Sequence, residues 1–173
     1  MQIESIIGDL CAQRDVDVLV NAWNRNVVPW WLLLPQGVSG ALKRAAGTAP
    51  FRELGYRPLP LGQARITSAG RLPNAAIVHV AGIDMLWRAS EASIRDSVRS
   101  AVRLTAEHGY RSVALPIIGA GSGGFDEDAA LAMILDTLAA LHRQGTTPEL
   151  RVRVVRFSAP VTVDAAVPGA SPA

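Results

Sequence analysis

The chain has 173 residues, 49% of them hydrophobic, with 17 basic side chains against 15 acidic ones and a net charge of +2. That length and composition suit one domain with a real core. The near balance, with arginines scattered from Arg14 to Arg156 and Lys43 as the only lysine, gives no ground for a specific nucleic-acid partner. The single cysteine, Cys11, forbids an internal disulfide and fits a reducing cytoplasm, the expected location. No secretory signal is visible, and no apolar run reaches the roughly 20 residues that span a bilayer, so no membrane partner is expected. His79, His108 and His142 lack ligand-like spacing, and neither a metal nor a cofactor is expected.

In chain order, Ile3 to Ile7 reads as a short strand ending at Gly8-Asp9, and Val16 to Val20 as a central strand rich in β-branched residues. Two amides, Asn21 and Asn24, follow that strand. An apolar stretch from Val27 to Gln36, with Trp30 and Trp31, leads to Gly37-Val38-Ser39-Gly40, which opens a helix from about Ser39 to Ala46 with Ser39 as N-cap. Thr48 to Leu61 reads as loop with one helical turn, and Ala64 to Ser68 and Ala75 to Ala81 as strands. Ser90 to His108 is the clearest helix: Ile94, Val98, Ala101, Val102 and Thr105 recur at helical spacing and Gly109 ends it. A strand from Ser112 to Ile118 runs into Gly119-Ala120-Gly121-Ser122-Gly123-Gly124-Phe125. A second amphipathic helix follows from Asp126 to His142, then a last strand from Arg151 to Phe157. Residues 160–173 read as a loose tail, leaving 1–159 as the domain. The alternation of strands and helices predicts an α/β fold with a mixed sheet and helices on both faces.

Two glycine-rich strand-to-helix loops stand out. Free backbone N–H groups at a helix start, with the helix dipole behind them, favour an anion. Gly119, Gly121 and Gly124 match G-x-G-x-x-G, yet no acid lies about 20 residues on and only one strand follows, so a full dinucleotide fold does not fit. Ala120 to Gly124 also approaches a serine-nucleophile elbow. The only later histidine, His142, lies at the far end of a helix more than about 20 Å long and does not reach Ser122. A glycine-rich turn without a ligand is the bland alternative. Two anion cradles on one sheet edge point to a diphosphate.

The motifs taken in order resemble the macrodomain family of ADP-ribose-binding modules and ADP-ribosyl hydrolases, over roughly residues 1–158. Gly8-Asp9-Leu10 resembles the family's opening Gly-Asp, Val20-Asn21-Ala22-Trp23-Asn24 its Val-Asn-Ala-Ala-Asn signature, and Gly37 to Gly47 its glycine-rich loop and helix. Ile77-Val78-His79 is similar to the strand before the long helix, and Leu115-Pro116 through Phe125 to the second phosphate loop. The resemblance implies a three-layer α/β/α fold around a mixed, mostly parallel sheet. It implies that Asp9 and Leu10 meet adenine, that Phe157 stacks on it, and that Asn24 holds the distal ribose with Asn21 nearby. Gly37, Val38, Ser39 and Gly40, together with Gly119, Ala120, Gly121, Ser122, Gly123, Gly124 and Phe125, would cradle the diphosphate. The catalytic candidates are Asn24, Asn21, Asn26 and Ser39.

The chain departs from the family pattern in three places. The first loop is longer and apolar, Ser39 stands where active relatives carry an aspartate, and Gly123 stands where many carry an aromatic over the distal ribose. Trp30 and Trp31 are candidates either to cover the ligand or to pack on the domain or at a dimer contact. The expected function is ADP-ribose binding with hydrolysis of mono-ADP-ribosyl groups from acidic side chains of modified proteins. The alternatives are a non-catalytic ADP-ribose reader, or a protein for NAD or another nucleotide.

Overall fold

A computed structural model describes residues 1–24, 37–145, 147 and 149–157. Six strands form one sheet in the order β1-β6-β5-β2-β4-β3. They are β1 (Gln2–Ile7), β2 (Val18–Asn24), β3 (Ala64–Ser68), β4 (Ala76–Ile83), β5 (Ser112–Pro116) and β6 (Arg151–Arg156). All neighbours run parallel except β3, which pairs antiparallel with β4. The expected mixed, mostly parallel sheet is therefore present. The helices are α1 (Gly37–Ala46), α2 (Ala49–Leu54), α3 (Glu91–Glu107) and α4 (Glu127–Arg143).

Side-chain alternation along the central strands sorts the two faces. Val18 and Val20 of β2, with Ala76, Val78 and Val80 of β4, join Ile94, Val98 and Val102 of α3 and Ile134 and Leu138 of α4 in one buried cluster. Leu19 and Ile77 face the other way, onto Leu42 and Ala46 of α1. Trp23, Phe51 and Leu54 close that second face beside α2, with the two rings 5.5 Å apart. The result is three layers, α/β/α.

Two differences from expectation bear on the site. β2 begins at Val18 and continues through both amides to Asn24, where a strand from Val16 to Val20 was expected. Val16 lies buried ahead of the strand, its carbonyl accepting from Asn74 Nδ2 at 2.8 Å, and the strand extends because Asn21 and Asn24 still pair along β4. Ser39 is not an N-cap: α1 already starts at Gly37, and Ser39 sits buried inside its first turn. The long helices are capped as their sequences suggest, α3 by Ser90 with a reciprocal Ser93 capping box, α4 by Asp126 accepting from the Ala129 N–H at 2.8 Å. No helix among the described residues is long and apolar enough to cross a membrane.

Candidate functional site

Parallel strands end together, so the carboxyl ends of β1, β6, β5, β2 and β4 share one edge of the sheet. Along that edge lie Asp9 after β1, Phe157 after β6, the 119–124 loop after β5 and Asn24 at the end of β2. From β1 to β2 is three strand spacings, about 14 Å, the span of an extended dinucleotide-like ligand.

The Asp9 end is held by the outermost strand pair. Ile7 is in register with Arg156, and the Gly8 N–H donates to the Arg156 carbonyl at 2.9 Å, which brings Asp9 beside Phe157. One Asp9 oxygen accepts the Cys11 N–H at 2.8 Å and starts the 3-10 turn Leu10–Ala12. Asp9 itself is exposed, while Leu10 is buried and offers only backbone. Phe157 is 66% exposed and is not a core residue. Arg156 reaches Glu127 and Asp128 in the first turn of α4 at 2.6 and 2.7 Å and ties this end of β6 to the helix behind the second loop. Burial, with Asp9 adding to it and Arg44 opposing it, pushes the Cys11 thiol up to about 11, so it is neutral and inert at ordinary pH, a filler.

The second glycine loop is built by fit. Gly119, Gly121 and Gly124 adopt φ of 93, 72 and 66°, a region costly for any residue with a Cβ. A Cβ on Gly119 would lie 2.8 Å from Ile94 Cδ1, and one on Gly123 2.9 Å from Ile83 Cγ2. Gly121 and Gly124 have open space at that position, Ser122 is exposed beside them, and Phe125 folds back toward the core as its N–H donates to the Gly119 carbonyl at 3.2 Å. The buried glycines seat the loop and the exposed ones face open space. His142 lies at the other end of α4, its Nδ1 3.2 Å from the Met1 nitrogen, and it takes no part with Ser122.

The first glycine loop is held by hydrogen bonds. Gly37 enters α1 at φ 56°, and the first turn carries no acid to oppose an anion. The Ser39 hydroxyl points inward and donates to Asn21 Oδ1 at 2.7 Å, with the Ala22 carbonyl at 3.0 Å. Asn21 Nδ2 lies 3.0 Å from His79 Nδ1, and His79 Nε2 lies 2.9 Å from Thr67 Oγ1. An amide nitrogen only donates, so Nδ1 accepts and the imidazole proton sits on Nε2. The Thr67 hydroxyl donates onward to the Ser68 carbonyl at 3.0 Å. Asn21 and His79 are both fully buried. Desolvation, with the Arg65 charge adding to it, pushes His79 down to about 3, so it stays neutral.

These contacts bear on two assignments. Asn21 was expected at the ligand, but it has no exposed surface and its amide is committed on both sides; it positions α1 against β2. Ser39 was expected as a catalytic group, but its proton is spent inward, so in this arrangement it is a positioning residue. Asn24 is half-buried at the edge, where a ribose contact was expected. Asn26, the apolar 27–36 stretch with Trp30 and Trp31, and the 160–173 tail lie outside the described residues. Sequence reasoning missed the Asn21–His79–Thr67 chain, whose members are distant in sequence, and the Asp84–Arg88 loop. There Asp84 Oδ1 accepts the Leu86 and Arg88 N–H groups at 2.8 and 2.9 Å, and Trp87 has φ 60°. A solvent-open pocket lined by Gly40, Lys43, Arg44, Gly47, Thr48 and Arg71 runs along one face of α1 from the first glycine loop toward the helix's C-terminal end.

The family model for the Macro domain matches residues 20–134. O-acetyl-ADP-ribose deacetylases from Enterobacter sp. (strain 638) and Escherichia coli (strain K12) are 34% and 35% identical, each over 86% of this chain and over 83% and 84% of their own. The solved Oceanobacillus iheyensis macrodomain with ADP superposes with a TM-score of 0.72 at 28% identity, covering 90% of this chain and 83% of that one. The Trypanosoma brucei macrodomain in complex with ADP, 23% identical, shares the fold with a TM-score of 0.78 over 91% of this chain and 65% of its own. With two glycine loops on one sheet edge and these likenesses across most of its length, the chain belongs to the macrodomain family.

Proposed function

We propose that this protein binds ADP-ribose along the strand-carboxyl edge and hydrolyses an acyl ester of its distal ribose. The observation that carries this is the pair of glycine loops on one edge, flanked by Asp9 and Phe157 on one side and Asn24 on the other. The names of the deacetylase relatives support ester hydrolysis. An ADP-ribosyl group on an acidic side chain is also a ribose ester, so the same chemistry extends to mono-ADP-ribosylated proteins.

In this reading Phe157 stacks on adenine, and the free Asp9 oxygen accepts from its amino group. Backbone N–H groups at Gly37 to Gly40 and at Gly119 to Gly124 hold the diphosphate. Asn24 fixes the distal ribose. Water attacks the ester carbonyl, the acyl group leaves as a carboxylic acid, and the ribose oxygen takes up a proton. With Ser39 turned inward, a substrate phosphate oxygen close to the water is the proton acceptor. Positioning and preorganised donors then supply the acceleration.

The inward Ser39 also favours a second reading, a reader that binds ADP-ribose without turnover. Calorimetry with ADP-ribose, AMP and NAD, followed by release of acetate from O-acetyl-ADP-ribose and of label from glutamate-modified protein, separates them. ADP-ribose binding well above AMP, with release slowed by Asn24→Ala, is the expected outcome. Equal affinity for ADP-ribose and AMP overturns the diphosphate cradle. Binding without release over hours overturns the enzyme and leaves the reader.

A further inference from the structure

β4 ends at Ile83, in register with Asn24, so the segment after β4 stands beside the distal-ribose end of the cleft. That segment is a tight loop that puts apolar side chains into solvent: Met85 is 63% exposed, Leu86 71% and Trp87 47%. Arg88, next to them, is exposed as well. This is not slack chain. Asp84 caps two N–H groups, the Asp84 N–H donates to the Arg88 carbonyl at 3.0 Å, and Trp87 is held at φ 60°, a conformation unfavourable for a residue with a Cβ. The loop is also docked on the second glycine loop. The Ala89 N–H donates to the Gly123 carbonyl at 3.0 Å, and a Cβ on Gly123 would lie 3.1 Å from Ala89 Cβ. Three large apolar side chains held out by a braced, strained turn form a patch that asks for a partner.

We infer that the Met85–Arg88 loop receives the polypeptide that carries the ADP-ribosyl group, which makes modified protein a substrate in preference to small acyl esters. This rests on the proposed reading of the cleft. The placement selects the occupant: the adenine end lies at β1 and β6, so the group attached to the distal ribose leaves the cleft on the β4 side. Arg88, exposed beside the apolar side chains, complements acidic residues that flank the modification. Trp87 and Leu86 offer area to the polypeptide's side chains, and aromatic and arginine anchors dominate such contacts. A bare acetyl group offers no side chains for Leu86 and Trp87 to pack on.

The test compares free ADP-ribose with a glutamate-type peptide carrying ADP-ribose through a non-hydrolysable linkage, on the whole chain. The variants are the triple Met85→Ser/Leu86→Ser/Trp87→Gly, whose glycine suits the φ of 60°, and Arg88→Glu. The wild type is expected to bind the modified peptide at least fivefold tighter than free ADP-ribose. The triple variant brings that ratio to one while its affinity for free ADP-ribose stays within twofold, and Arg88→Glu lowers the ratio further for acidic than for neutral flanking sequences. A wild-type ratio of one overturns the inference, and so does a ratio that the triple variant leaves unchanged. An equal loss of both ligands marks the loop as a structural support and overturns it too. Absence of free ADP-ribose binding by the wild type is a failure of the cleft reading itself, and the inference falls with it.

Discussion

The two glycine loops serve one edge but are fixed by different means. The 119–124 loop is steric: Gly119 and Gly123 sit where Ile94, Ala89 and Ile83 leave no room for a Cβ, and its backbone takes left-handed conformations. The α1 start is electrostatic: Gly37 has open space around it, and Ser39, Asn21, His79 and Thr67 hold the helix by a run of buried hydrogen bonds. A loop fixed by shape resists any change of solvent but tolerates no added atom. A loop fixed by buried polar groups tolerates changes of size at its surface but is sensitive to protons.

The largest break in this comparison comes from Gly119→Leu. Overpacking against Ile94 costs about 1–3 kcal/mol, and the left-handed backbone adds about 1–2 kcal/mol. Denaturant titration should show a midpoint well below wild type; an unchanged midpoint would mean that the loop re-seats freely and is not held by fit.

Next is Gly121→Val, where the space is open and the fold loses only the backbone term. A folded variant by circular dichroism should lose ADP-ribose affinity by at least a hundredfold, about 2.7 kcal/mol, because the side chain occupies the space the phosphate needs. Normal affinity in a folded variant would remove this loop from the cradle.

The third test separates the polar side. His79 is held neutral when folded and titrates near its ordinary 6.5 when unfolded. Below 6.5 the unfolded chain binds the extra proton, so stability from this group is complete above 6.5 and is lost as pH falls toward about 3, at about 1.4 kcal/mol per pH unit. Asp15, held low by its hydrogen bonds from Arg153, loses its contribution only below the ordinary carboxylate value of 3.8 and leaves the window above that to His79. Wild type should show this slope between pH 6.5 and 4.5, and His79→Gln should flatten it. Equal slopes would show that the chain of hydrogen bonds does not depend on a neutral imidazole.

Much of this was legible from local pattern. α3 and α4 lie within a residue or two of the spans read from their apolar spacing, because their caps and stripes are written in neighbouring residues. The second glycine loop was legible because glycine reports directly on a backbone requirement. Asn21 was not, because a buried amide reads as a surface one until its partner is known, and His79 lies 58 residues away. Ser39 looked like a cap for the same reason: its acceptor is on another element. Trp87 at φ 60° breaks a local preference, and nothing adjacent announces that Asp84 will hold it there.

The pairing of β1 with β6 fixes when the sheet is completed. Glu4 and Arg153, joined by an ion pair at 2.7 Å, are 149 residues apart in the chain. At roughly 5–20 residues per second, β1 waits about 7–30 s on the ribosome before β6, its sheet neighbour among the described residues, has been made. Both glycine loops, β2, β4 and β5 are translated in that interval. Both glycine loops are therefore made before β6, and Asp9, although it precedes them in the chain, is seated at the end of the β1–β6 pair only afterwards.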